Sequence, residues 1–153
     1  MIWKLPAQRG AAVLLAGVLA AVLTGCSADD AARGSLSQSA GTAAASARSA
    51  GLVLGLQEND RIVATVLDTG LSDAADSLAQ EAQSVATMTA LGGIGSRRDS
   101  VLKDIRAAQD AVASAQRAVA AGRESGLALD RQRRELDRLG SELDAASKRL
   151  EHG

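Results

Sequence analysis

Apolar residues recur three and four positions apart through most of the second half of the chain. Val101, Ile105, Ala108, Val112, Ala115 and Val119 are spaced four, three, four, three and four, and Leu136, Leu139, Leu143, Ala146 and Leu150 three, four, three and four. Both rows keep the heptad rhythm of a helix that buries one narrow face. They predict a helix starting at Ser96 and another from about Leu127 to Leu150. Upstream, Val63, Leu67, Leu71, Ala74, Leu78, Ala82, Val85 and Met88 predict a helix that continues to about Leu91. A thinner face of Ala40, Ala44, Ala47, Ser49, Ala50 and Leu54, thickened at its end by Leu52, Val53 and Leu56, predicts a helix over 37–57.

The breaks between these rows carry turn chemistry. Glu58-Asn59-Asp60 predicts a hairpin bend, since Asn tolerates the left-handed conformation and Asp accepts the first N–H groups of a following helix. Gly70, after Thr69, weakens the second helix and is a candidate kink. Gly92-Gly93-Ile94-Gly95 reads as a helix-breaking linker; a phosphate loop would need an upstream strand and a Lys-Ser or Lys-Thr pair, and neither is present. Ser96 and Asp99 are spaced as an N-cap and its partner at the positive end of the third helix. The segment Gly122 to Gly126 is either a turn or a helix continuing through Gly122, and its two glycines in five residues make the turn the expectation. Asp130 with Arg134 and Asp144 with Lys148 are acid-first i,i+4 pairs on the last helix. The predicted fold is therefore all-α, an antiparallel helical bundle or coiled-coil hairpins of three to four helices over 37–153, with the close packing that small residues permit.

The first residues follow another pattern. Lys4 and Arg9 form a short positive head, and Ala11 to Leu23 is an uncharged run of thirteen apolar or Gly residues, short of the ~20 a spanning helix needs. This is the pattern of a signal peptide over 1–25. It ends in Leu23-Thr24-Gly25-Cys26, which resembles the lipobox of bacterial lipoproteins: an aliphatic residue, two small ones, then Cys. The resemblance implies recognition of Leu23, Thr24 and Gly25 by the lipoprotein signal peptidase and cleavage before Cys26. It also implies a diacylglycerol on the Cys26 sulfur and often N-acylation of the new terminus with chains such as palmitate. Two acyl chains at ~0.8 kcal/mol per buried CH₂ make a stable anchor where one does not. Ser27 is not the Asp that retains lipoproteins in the inner membrane of two-membraned bacteria, so onward sorting to an outer membrane is permitted. The Ala, Arg and Gly bias resembles that of high-GC bacteria such as the actinobacteria. There the destination is the extracytoplasmic face of the cell membrane. Residues 27–36, without a hydrophobic repeat, read as a flexible tether of at most ~35 Å between lipid and domain.

Composition narrows the function. Of 153 residues 33 are Ala, with one Trp, no Phe and no Tyr, so the core is thin and helix is the favoured state. One Cys and one His, His152, provide no disulfide, no Cys/His dyad and no His-based metal site, and no cofactor is expected. A net charge of -1 gives no basic field for nucleic acid, and the missing aromatics remove the platforms for stacking bases. The chain from Cys26 holds 15 bases against 18 acids, divided into -5 over 27–95 and +2 over 96–153. Such a division suits halves that fold back on each other or pair across chains, and equally suits ordinary solvated faces.

The remaining constellations carry little chemistry. Ser100-Val101-Leu102-Lys103 matches the Ser-x-x-Lys element of penicillin-binding proteins, without the companion elements or the α/β scaffold that chemistry requires. Asp73 with Asp76 and Asp29 with Asp30 lack an apolar pocket to raise a carboxyl pKa. Arg131, Arg133, Arg134 and Arg138 alternate with Glu135 and Asp137 and read as a solvated face rather than an anion patch. The expectation is a non-enzymatic, lipid-anchored helical protein of the cell envelope, similar to the small Ala-rich bacterial lipoproteins. It would act as a structural spacer or a partner-binding module, through a protein partner or its own oligomer along the helix rows. The second reading is a carrier of lipid or another hydrophobic ligand at the membrane surface.

Overall fold

The computed structural model describes residues 11–58, 63–89, 93–122 and 126–152, with side chains from residue 28 onward except at 58 and 126. Among these described residues the elements are four helices, α1 (Ala11–Glu58), α2 (Ala64–Thr87), α3 (Ile94–Ala120) and α4 (Gly126–His152). The chain divides into two units, Met1–Ala31 and Ala32–Gly153. In the first, residues 11–31 are helical. The second is a bundle of the rest of α1 with α2, α3 and α4, so the predicted all-α bundle is what forms.

Successive helices run antiparallel, as the cross-helix pairs require. Ser46 meets Ser77 at 2.7 Å between hydroxyls, while a Cβ on Gly70 would touch Val53, so α1 and α2 pass in opposite directions. Arg98 of α3 donates to the Met88 carbonyl at 3.2 Å, tying the α2 end to the α3 start. Gln132 of α4 donates to Ser114 of α3 at 3.3 Å. Ser37 of α1 meets Ser147 of α4, closing the ring of neighbours.

The core is the sum of four narrow rows. Leu67, Leu71, Ala74, Leu78 and Val85 from α2 are buried, as are Val101, Ile105, Ala108, Val112 and Ala115 from α3 and Leu136, Leu139, Leu143, Ala146 and Leu150 from α4. Ala82, Met88 and Val119 are half-buried against them. In α1 the row is Leu36, Ala40, Ala43, Ala47, Ala50 and Leu54, spaced four, three, four, three and four, all fully covered.

That α1 row corrects the expected tether. Residues 28–36 are helical, and Leu36, placed in the tether by its surroundings, is the first member of the heptad row and fully buried. One leucine after a polar stretch is enough to hold the helix when the next six turns bury the same face. Ser49, expected on the buried face, is exposed, and Ala43 takes its place. Leu52, expected to thicken the core, is 64% exposed, because it lies on the opposite side of α1 from Leu54. Val63, drawn into the α2 row, is likewise exposed, flanking the helix as its N-cap in an extended conformation.

Helix ends also depart from the expectation. α2 runs unbroken through Thr69 and Gly70. It stops at Thr87 instead of Leu91, where the Thr87 hydroxyl donates to the carbonyls of Gln83 at 2.9 Å and Ser84 at 3.2 Å and Met88 turns extended. α3 begins two residues before Ser96, at Ile94, with Gly93 as N-cap and no side-chain cap. Burying Ile94 requires the earlier start, and Asp99 gives its carboxylate to Arg98 at 2.8 Å rather than to a cap. The break after α3 falls where two glycines predict it: Gly122 has φ 61°, the left-handed region that glycine takes without a Cβ penalty, and its N–H donates to Val119 at 2.9 Å. The predicted bend at Asn59-Asp60, Leu91, Gly92 and residues 123–125 lie outside the described residues.

Candidate functional site

The interface between α1 and α4 is built from residues too small or too polar to appear in a hydrophobic row. Ser37, Gly41, Ala44, Arg48, Gly51 and Gly55 on α1 are spaced four, three, four, three and four. Opposite them on α4 stand Ser147, Gly140, Asp144, Asp137 and Arg133. A Cβ on Gly140 would lie 2.9 Å from Arg48 Cγ and 3.2 Å from the Ala44 carbonyl oxygen, and one on Gly51 2.9 Å from Asp137 Oδ1. The backbones therefore approach closely, with charged stems folded over the seam and Arg48 paired to Asp144 at 3.3 Å.

One end of that seam is a buried polar clasp. Ser37 Oγ donates to the Ser147 carbonyl at 3.1 Å, and Ser147 Oγ donates to the Ser37 carbonyl at 2.9 Å. Both serines are buried. The reciprocal arrangement satisfies two hydroxyls that would otherwise be costly to desolvate. Glu151 lies 3.3 Å from Ser37 Oγ at the rim.

The clasp marks the near end of the bundle, where the start of its α1 segment meets the last turns of α4, the end of α2 and the start of α3. At this end α3 and α4 leave an open groove of about 360 Å³ lined by Arg97, Ser100, Val101, Ala146, Arg149 and Leu150. Val101, Ala146 and Leu150 form its apolar floor, and Arg97 and Arg149 are exposed at its sides. The far end carries the opposite character. Leu52, Val63, Val66 and Leu127, exposed by 64, 66, 52 and 82%, all lie within two turns of it.

The charged residues of α4 are mostly self-paired. Asp130 accepts from Arg133 at 2.7 Å and from Arg134. Arg138 bridges Glu135 and Glu142, each at 2.5 Å. Lys148 reaches Asp144 at 2.9 Å. The Arg133 hydrogen bond, followed by the charge of Arg134, holds the Asp130 carboxyl below its ordinary value, and the hydrogen bond from Arg138 does the same for Glu135. Hydrogen bonds from Lys148 and then Arg48 lower Asp144. Asp104 moves the other way, raised first by burial and then by the charge of Glu142.

The other sequence candidates do not assemble. Ser100 and Lys103 line different grooves, Ser100 beside Leu150 and Lys103 beside Arg106 and Asp110, so the Ser-x-x-Lys match brings no pair together. Asp73 and Asp76 are exposed on α2. Arg133, Arg134 and Arg138 are committed to carboxylates, and Arg131 and His152 are exposed on the surface of α4. Leu23, Thr24, Gly25 and Cys26 fall within the helical backbone of α1, their side chains outside the described residues. Among the described residues no helix is long and apolar enough to cross a membrane, and no group of three or more His, Cys, Asp or Glu is placed to hold a metal ion. What the fold defines is an all-α bundle with two chemically different ends. The chain matches no family model, no curated protein and no solved structure.

Proposed function

We propose that the protein is a lipid-anchored helical module of the cell envelope, held at the extracytoplasmic face through Cys26, that presents a docking surface to a protein partner at its far end. The observation that carries this reading is the polarity of the bundle. Among the described residues, the large exposed apolar side chains, Leu52, Val63, Val66 and Leu127, gather at the end opposite to the one where the chain enters the bundle at Ala32. Single exposed apolar residues are ordinary, but their concentration at one end is a feature of docking surfaces. The 27 residues of α3 give a rise of ~40 Å, so the bundle is also a spacer that holds this surface away from its attachment. The lipobox Leu23-Thr24-Gly25-Cys26 supports the anchor.

Two measurements test the reading. Metabolic labelling with a palmitate analogue, followed by membrane fractionation, should mark the wild-type chain and not Cys26→Ala, which should leave the membrane fraction. An unlabelled wild type, or a Cys26→Ala chain still in membranes with its first residues uncut, would refute the lipid anchor. A photo-crosslinker at Leu127 should trap a discrete partner in cells where one at Lys103 does not, and equal capture at both positions would remove the far end as the docking surface.

A further inference from the structure

The near-end groove between α3 and α4 carries, above residues of the core rows, two arginines whose charge no described carboxylate of the bundle takes up. Arg48, Arg98, Arg133, Arg134 and Arg138 each reach a carboxylate. Arg97 and Arg149 flank one groove, and neither forms an ion pair or hydrogen bond with a described residue. Arg149 acts on Asp104, one turn beyond Ser100, through its charge alone and does not pair with it; that carboxyl is raised first by burial and then by Glu142. No acid is among the lining residues, and Ser100 adds a hydroxyl donor. Beneath these polar groups the floor is apolar, made by Val101, Ala146 and Leu150. Two guanidiniums and a hydroxyl above an aliphatic floor select an anion that has an apolar body attached.

The position of the groove chooses among such anions. It opens at the same end as the Ser37–Ser147 clasp, where α1 joins the bundle. Cys26 precedes Ala32, the first residue of that unit, by six residues, a reach of roughly 9 Å as helix and 20 Å fully extended. A diacylglycerol on Cys26 therefore keeps the near end within headgroup distance of the bilayer, where phospholipids hold a phosphate at that depth, and two guanidiniums without a carboxylate favour those of net negative charge.

We infer that the groove seats the headgroup of an anionic phospholipid of the anchoring membrane. Arg97 and Arg149 take the phosphate oxygens, the Ser100 hydroxyl donates to the same group, and the glycerol and first acyl carbons lie on Val101 and Leu150. This rests on the lipid-anchored reading for its choice of lipid, and it gives the anchor a second contact that stands the bundle end-on at the surface. Two weak attachments joined by a short linker reinforce each other through effective concentration.

The test uses the full chain in an uncharged detergent, so that binding to the groove is read independently of what Cys26 carries. Arginine Nε–H resonances are followed while dihexanoyl phosphatidylglycerol, dihexanoyl phosphatidylcholine or inorganic phosphate is added. Phosphatidylglycerol should shift Arg97 and Arg149 saturably, and the Arg97→Gln/Arg149→Gln chain should bind it at least tenfold more weakly. The Arg106→Gln/Arg131→Gln chain, altered at exposed positions outside the groove, should bind as wild type. Equal response to phosphatidylcholine, equal affinity for phosphate alone, or an unchanged affinity in the double variant would each overturn the inference. A chain that binds phosphatidylglycerol but takes no palmitate label would refute the anchor and leave the groove standing; the reverse pattern would do the opposite.

Discussion

Replacing Gly140 by Ala probes how closely α1 and α4 are docked. In an open helical position the change is favourable, because Ala is better than Gly in a helix by about 1 kcal/mol. At position 140 the new Cβ would stand 2.9 Å from Arg48 Cγ and 3.2 Å from the Ala44 carbonyl oxygen. The arginine can swing aside at the expense of its 3.3 Å pair with Asp144, but the carbonyl belongs to the backbone of α1 and moves only with the helix. Overpacking of this kind costs about 1–3 kcal/mol, which outweighs the propensity gain and leaves a net loss of about 1 kcal/mol. Gly34 provides the reference, since it lies on the same helix as Ala44 and a Cβ there meets nothing within 4 Å. Gly34→Ala should therefore stabilise the chain by roughly 0.5–1 kcal/mol. Urea titrations followed by far-ultraviolet circular dichroism measure both variants, with equal slopes confirming that the same surface is exposed on unfolding. If Gly140→Ala stabilised the chain as much as Gly34→Ala, the small-residue seam would not be a close contact and the reasoning would fail.

Leu143→Ala and Leu139→Ala, at fully and almost fully buried positions, should each cost about 2–5 kcal/mol, whereas Arg138→Ala on the exposed face should stay within roughly 0.5 kcal/mol in the same titration. Leu36→Ala should cost about 2–4 kcal/mol, a loss no flexible tether residue would show. Asp130, Glu135 and Asp144 have lowered pKa values, so their pairs stabilise the folded chain at neutral pH and that contribution disappears as pH falls through the lowered values; a melting temperature that declines below the usual carboxylate range, less so in high salt, checks this. Asp104 has the opposite sign, its ionised form being disfavoured in the fold, so Asp104→Asn should raise the melting temperature at neutral pH and lose that advantage in acid.

The parts of this fold that were legible in the sequence are those in which large aliphatic residues do the packing. The rows of α3 and α4 and the break at Gly122 follow directly from Leu, Ile and Val spacing and from glycine chemistry. α1 was read less well because its information is carried by Ala, Gly and Ser. A hydrophobicity pattern passes over Ser37, Gly41, Gly51 and Gly55, although their three-and-four spacing is as regular as that of the leucines. The same spacing in Arg133, Asp137, Gly140, Asp144 and Ser147 is hidden by charge: Arg133 and Asp137 look like a solvated face and Asp144 like half of a surface ion pair, and nothing in the pattern singles out Gly140 or Ser147. Leu36 was lost to the averaging of its polar neighbours. The near-end groove was beyond reach for another reason: Arg97 and Arg149 are 52 positions apart, and only the antiparallel register of α3 and α4 brings them to one place.

The clasp between Ser37 and Ser147 has a mechanical consequence. Tension applied at Ala32 enters the bundle at the start of its α1 segment, while α4 runs the other way beside it. A seam of glycine and alanine has few side chains that interlock, so it resists sliding poorly compared with the leucine rows. The two reciprocal hydrogen bonds sit at the loaded end and take the force before it reaches the glycines. Because Ser37 and Ser147 exchange two hydrogen bonds at the end where tension enters, the clasp stands in the way of the first slip of α1 past α4, and a Ser147→Ala chain should yield at lower force than its equilibrium stability suggests.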